Sequence, residues 1–327
     1  MKICVVGGTG NISSAFVPLL VQKGYDVTIY NRGKKGVTPP GVRWIEGDRH
    51  DKAAFEATMQ AEKFDAAIDM ICFNKEQAES SLRAFRGVQH FVFCSTVCVY
   101  GIQYDYLPVR EDHPFRPITD YGRKKGEAEK VFMDAWEKEQ FPVTIIRPST
   151  TFGPIQGAIR QTGWDYSWID RIRKGKPIVV CDEGRAKHQF LHVRDAALCF
   201  ANVPGKNQCI GQAYNMTKQG YTPWREYHLT AMEVLGRHVD LVSFPYATLE
   251  QWDIPRFDLC TEIFSHDTYY NPDKLFRDVP EFRPAISLKD ALADTIAAMD
   301  KAGRVPNSDA PAFAWEDELI KAKGIKA

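Results

Sequence analysis

In the stretch "DYGRKKGEAEKVFMDAW" (120–136), Tyr121 and Lys125 stand four residues apart. Charged and apolar residues recur there at helical spacing, which predicts a helix carrying both side chains on one face. A phenol of pKa about 10 is a poor proton donor or acceptor at neutral pH. A neighbouring ammonium favours the phenolate and draws it toward a working value. Upstream, "CSTVCVYG" (94–101) ends a run of aromatic and β-branched residues with hydroxyls and thiols. The carboxyl ends of parallel strands border the ligand crevice of an open α/β sheet, which is where Ser95 and Thr96 would sit. An isolated tyrosine–lysine pair is mostly surface coincidence. This one follows a hydroxyl-bearing strand end and, earlier still, a glycine-rich loop.

That loop, "VVGGTGNISSAF" (5–16), follows the first apolar run and opens the first helix. Gly7 permits a tight turn, Gly10 lets backbone approach a pyrophosphate, and the amides of Asn11 and Ile12 point at it from the helix end. Ser13 replaces the third glycine of the usual dinucleotide fingerprint; its side chain is small enough for close helix–strand packing. The second run ends at Asn31-Arg32, where an NAD-selective site would often place an acidic residue. Arg32, with Lys34 and Lys35, receives a 2′-phosphate on one reading and is a solvated basic loop on the other. Asp48, in "EGDRHD", is placed either to bond an adenine amino group or to cap the helix of "DKAAFEATM".

The elements that must position these residues are short apolar runs alternating with helical patterns: 2–7, 26–31, 42–47, 65–72, 90–95 and 143–148. This predicts an α/β fold, a Rossmann-type doubly wound parallel sheet covered on both faces. The nucleotide-binding domain is expected over 1–160, completed by about 187–212. The segments 161–186 and 213–327 are expected to form mainly a smaller C-terminal substrate lobe with its helices.

Lys and Arg total 42 and Asp and Glu total 42, so overall charge gives no drive toward nucleic acid or an anionic membrane. No apolar run approaches the roughly 20 residues of a membrane span. Of the eight cysteines, Cys4, Cys72, Cys94 and Cys181 lie in or beside apolar runs and Cys199 in a helical pattern, as buried free thiols do, and none has metal-ligand spacing. A cytoplasmic protein without a metal site is expected.

The motifs "GGTGNI", "GDRHD", "CSTVCVYG", "YGRKK", "RPSTTFGP" and "HQFLHVRDAA" occur in the order of the extended short-chain dehydrogenase/reductases of the NAD-dependent epimerase/dehydratase family, which the chain resembles over nearly its whole length. "YNRG", "IDMIC" and "WEDELI" are similar to its atypical branch, near chloroplast stem-loop-binding relatives. The resemblance implies NAD(P) binding and catalysis by Thr96, Tyr121 and Lys125. It implies a cofactor set of Gly7, Thr9, Gly10, Asn11, Ile12, Asn31, Arg32, Asp48, Arg49, Met70, Ile71, Ser95, Tyr121, Lys125 and Pro148. The candidate substrate contacts are Thr96, Cys98, Tyr121, Thr150, Trp164 and His188, with Cys98 read more readily as a buried packing thiol, Trp164 equally as lobe packing, and His188 as a structural histidine or an anion contact.

Two departures from the family pattern bear on the reaction. Sugar dehydratases follow the catalytic Thr with Asp and Glu; here Val97 and Cys98 stand there, and Val cannot protonate a leaving hydroxyl, so dehydration is rejected. His188 occupies the place where nucleotide-sugar epimerases carry a diphosphate-gripping Arg. The leading reading is a sugar or nucleotide-sugar epimerase acting by transient hydride transfer, with the cofactor recycled. The alternatives are an NADP(H)-dependent dehydrogenase or ketoreductase of a sugar-like substrate, with Arg32 favouring NADP, and an RNA-binding protein on a retained dehydrogenase fold. The family likeness also implies a homodimer.

Overall fold

The computed structural model describes residues 1–34 and 36–324; Lys35, one of the basic residues near the proposed phosphate position, lies outside them. The described chain divides into two compact units. The first comprises 1–151, 193–219 and 270–284, and the second 152–192, 220–269 and 285–327. The line falls at Thr151 rather than at 160, and 270–284 joins the first unit although the sequence pattern places it in the lobe.

The first unit is built on six apolar runs: β1 (Lys2–Val6), β2 (Asp26–Asn31), β3 (Val42–Glu46), β4 (Ala66–Asp69), β5 (His90–Cys94) and β6 (Val143–Pro148). With the strand Gln212–Met216 they form one sheet in the order Gln212–Met216, β6, β5, β4, β1, β2, β3. Every pairing is parallel, with Val6 beside both Tyr30 and Asp69 and Cys94 beside Ile146. β5 and β6 are buried at every residue, as parallel strands covered on both faces must be. The order reverses beside β1, and at such a switch point the carboxyl ends of the strands open a crevice.

Helices α1 (Ser13–Gln22), α2 (Lys52–Glu62), α3 (Lys75–Ala84) and α4 (Asp120–Glu139) cover the sheet. Asp51 caps α2 by accepting from the Ala54 amide at 3.1 Å, so the capping role considered for Asp48 falls to its neighbour three residues on. Asn74 caps α3 and Thr119 caps α4 in the same way. Beneath α2–α4 a chain of rings runs Tyr30–Phe55–Phe85–Phe91–Phe132, with centroids 5.1–5.9 Å apart. Helix Val193–Asn202 lies on α1, where Phe200 stacks on Phe16 at 5.2 Å.

The second unit has its own core around Trp168, Trp224, Tyr227, Phe190 and Phe264. A short parallel pair joins Leu241–Phe244 to Ile178–Cys181. Helix Ala314–Ala322 is tied in by Glu316, whose carboxylate receives Arg160 and the Val179 amide, with Arg171 at 3.4 Å. All three charged side chains are fully buried.

Candidate active site

The glycine-rich turn lies between β1 and α1 and opens onto a cavity of about 300 Å³. Gly7 has φ +88°, a conformation that costs a residue with a Cβ, and a Cβ there would stand 2.7 Å from Ile71 Cγ2. Ser13, at the fingerprint's third-glycine position, is buried. Its hydroxyl donates to the Gly7 carbonyl at 2.9 Å and accepts from the Gly10 amide at 2.8 Å, so the departure stitches the turn. Asn31 holds the facing strand end: its Oδ1 accepts from the Gly33 amide, and its Nδ2 reaches Thr9 Oγ1 at 3.4 Å.

Gly7, Thr9, Gly10, Asn31, Arg32, Asp48, Arg49 and Ile71 all line this cavity. The Arg32 guanidinium is 55 % exposed and 3.8 Å from Asp48 Oδ2. Asp48 is held below the usual carboxylate range by the His50 amide first and by Arg32 after it. Arg49 reaches the cavity wall, but its guanidinium is committed to Asp69 at 2.8 Å, the Gln77 carbonyl and Ser81. Asn11 and Ile12 stand at the start of α1. The Met70 amide bonds Val6 O, and Pro148 is buried at the end of β6. Lys34, the basic neighbour named with Arg32, lines the cavity too; His50 and Phe73 also line it, and the sequence pattern alone does not single these two out. Phe73 carried a signal: a large ring following β4 in a segment with no strand pairing.

Thr96, Tyr121 and Lys125 come together at the carboxyl end of β5. Gly122 makes this possible, because a Cβ there would lie 2.4 Å from the Cys98 carbonyl and hold α4 off the turn Val97–Tyr100. The Lys125 ammonium is buried. It donates to the Cys72 carbonyl at 2.7 Å and the Cys94 carbonyl at 2.6 Å, and lies 4.9 Å from the ring centres of Phe73 and Phe93 and 5.8 Å from that of Tyr121. Burial lowers its pKa, opposed by Cys94, Cys72, Asp69 and Glu129.

Tyr121 leaves 44 % of its surface open, yet the surroundings of its hydroxyl raise the pKa. Desolvation is the main cause, the Cys94 and Cys98 thiols add to it, and a hydrogen bond with Thr96 draws it back. The resting phenol is therefore protonated at neutral pH, the state of a proton donor. Thr96 also accepts from the Cys98 amide at 3.2 Å. Cys98, half-buried, is the one cysteine among the described residues that is not buried. Ser95 turns its hydroxyl away to Glu129, and Thr150 lies just beyond β6, half-buried.

Trp164 and His188 belong to the second unit. Trp164 is 38 % exposed, and its indole N–H donates to Tyr166 at 2.7 Å. His188 is buried among Phe190, Trp224 and Phe264 and hydrogen-bonds Thr268 at 2.9 Å. Burial pushes its pKa down to about 3, so the imidazole is neutral and is not a cation for a diphosphate. Among the described residues there is no cluster of His, Cys, Asp or Glu that would hold a metal, and no helix long and apolar enough to cross a membrane.

The lining fits the adenosine end of a dinucleotide: a turn with no room for a Cβ at Gly7, the Asp48 carboxylate, the exposed Arg32 guanidinium and the apolar Ile71.

The family model described as NAD dependent epimerase/dehydratase family matches residues 3–216. The chain is 28 % identical over 246 residues to the 2′-dehydrokanamycin reductase of Streptomyces kanamyceticus, covering 75 % of this chain and 70 % of that protein. It is 28 % identical over 234 residues to chloroplast stem-loop binding protein of 41 kDa b of Arabidopsis thaliana, covering 67 % and 59 %. The structure of UDP-glucuronic acid 4-epimerase from Bacillus cereus, in complex with UDP-glucuronic acid and NAD, superposes with a TM-score of 0.74 at 18 % identity, covering 92 % of this chain and all of that one.

Proposed function

The chain belongs to the NAD dependent epimerase/dehydratase family, and from that premise we propose that it is an NADP(H)-dependent oxidoreductase that reduces a ring ketone of a sugar-like substrate. One observation carries the reading. The Tyr121 ring lies 5.8 Å from the buried ammonium of Lys125, and Thr96 acts on its hydroxyl.

Thr96 orients the carbonyl oxygen by hydrogen bond, and Tyr121 gives that oxygen its proton. Lys125, held by the Cys72 and Cys94 carbonyls, stabilises the phenolate that remains. When bound, the nicotinamide cofactor supplies the hydride. Gly7, Gly10 and Thr9 would hold its phosphates, Asp48 its adenine, and Arg32 a 2′-phosphate.

The reductive direction is supported by the likeness to 2′-dehydrokanamycin reductase. A substrate without a nucleotide is supported by the neutral, buried His188 at the place where the family's diphosphate grip is expected. The second reading is a recycling epimerase, favoured by the family and by the 4-epimerase likeness. Incubation with NADPH and a panel of ketosugars and dehydro-aminoglycosides tests the two. A reductase consumes one NADPH per product, whereas an epimerase interconverts stereoisomers with no net change in reduced cofactor.

A further inference from the structure

One turn beyond Lys125, on the same face of α4, stands Glu129. Its carboxylate is 2 % exposed. It accepts from the Ser95 hydroxyl, from Arg147 Nε at 3.1 Å and from Arg147 Nη2 at 2.7 Å. Arg147, on β6, sends Nη1 to the Tyr100 hydroxyl at 2.5 Å and to the Glu111 carbonyl at 3.2 Å. The Tyr100 hydroxyl in turn donates to Asn215 Oδ1 at 2.8 Å. Its guanidinium lies 5.1 Å from the ring centre of Tyr100 and 4.8 Å from that of Phe115.

A buried ion pair is a poor stabiliser, because apolar residues of similar volume often do as well or better. The placement of this one points to another role. Two rungs of α4 grip successive residues at the end of β5, Lys125 the Cys94 carbonyl and Glu129 the Ser95 hydroxyl, and Thr96, the next residue, acts on the Tyr121 hydroxyl. The Glu129 rung is anchored to β6 through Arg147.

We propose that Glu129, clamped by Arg147, is a positioning residue for the reaction: it fixes Ser95, and with it the register of Thr96 against Tyr121 and the charge facing Lys125. This rests on the reading of Tyr121 as proton donor. The ionisable groups facing Lys125 are Asp69 and Cys72 from β4 and the segment after it, Cys94 from β5, and Glu129 and Tyr121 from α4 itself. Glu129 opposes the loss of the Lys125 proton. Neutralising it leaves the Arg147 cation unpaired, and both changes favour deprotonation of Lys125 and Tyr121. Neutralising Arg147 does the reverse.

The test compares Glu129→Gln, Arg147→Met and the double variant by pH profile of kcat, by cofactor Kd from calorimetry, and by crystal structure. The expected kcat is lower by about tenfold in all three, with the cofactor Kd within about twofold of wild type. The profile is displaced to lower pH in Glu129→Gln and to higher pH in Arg147→Met, by about half a unit or more, and returns in the double variant. One common profile in all variants overturns the proposal and leaves the pair a packing device. If the single variants do not fold, the double variant, which buries no charge, decides alone. A tenfold loss with the Thr96 and Tyr121 hydroxyls beyond hydrogen-bond reach in its crystal structure upholds the proposal; wild-type kcat or an unchanged separation overturns it. Wild-type protein with no cofactor-linked turnover defeats the functional reading instead, and the hydroxyl separation still judges the role of Glu129.

Discussion

Replacing Arg32 by Ala removes the one cation of the cavity wall whose observed partner, Asp48, is 3.8 Å away. A charge-assisted hydrogen bond to a 2′-phosphate is worth about 1.5–3 kcal/mol. The guanidinium is 55 % exposed, so solvent screening places it at the lower end of that range. The expected loss is therefore about 1.5 kcal/mol, or roughly tenfold in NADPH affinity. NAD(H) lacks the phosphate, and its affinity should change by less than about twofold. Isothermal titration with both cofactors at 50 and 300 mM salt measures this, and the wild-type preference should shrink at the higher salt as the pair is screened. Equal losses for the two cofactors, or a preference indifferent to salt, would refute the argument and return Arg32 to a solvated loop.

Gly7→Ala should weaken both cofactors together at some cost in stability, because φ is +88° and the added methyl meets Ile71 at 2.7 Å; unchanged binding by calorimetry would show the turn lies elsewhere. Buried His188 and His228 have pKa values lowered to about 3, and His90 to about 4, all by desolvation. The unfolded chain binds protons at these sites from pH about 6.5 downward, so their contribution to stability is fully present above that value and is lost as pH falls toward 3–4. Melting temperatures should drop across that window, and a flat profile contradicts the burial. Glu316→Ala leaves Arg160 and Arg171 buried without its carboxylate and should cost about 3–5 kcal/mol in denaturant unfolding; a loss under about 1 kcal/mol would mean the network is solvated.

The parallel sheet was legible because each of its first six strands is a short apolar run, and the tyrosine–lysine pair because helical spacing puts both on one face. The run 65–72 forms a strand only as far as Asp69, whose carboxylate turns to Arg49 and the Ile71 amide and ends the pairing. Local reading left Asp48 between an adenine contact and the helix cap, and the backbone geometry gives the cap to Asp51 instead. Glu129 lay in plain view, two turns from Tyr121, but its meaning depends on Arg147, and no local pattern pairs residues 18 apart. His188 was ambiguous for the same reason: Trp224, Phe264 and Thr268, all far along the chain, strip it of water and charge. The return of 270–284 to the first unit follows from Tyr270 joining Val97, Val99, Tyr100 and Val109 in one cluster, a long-range packing match without a periodic signature.

The central claim is that Tyr121 delivers the proton in a net reduction, and the most direct test is single-turnover consumption of NADPH by wild type and Tyr121→Phe with the same ketosugar substrate. Wild type should oxidise one NADPH per alcohol formed. The Phe variant should bind NADPH with nearly unchanged affinity and turn over about 10²–10⁴-fold more slowly. A Phe variant that keeps most of its activity would remove Tyr121 from the chemistry. Stereoisomer interconversion with no net NADPH loss would keep Tyr121 and replace the reductase with an epimerase.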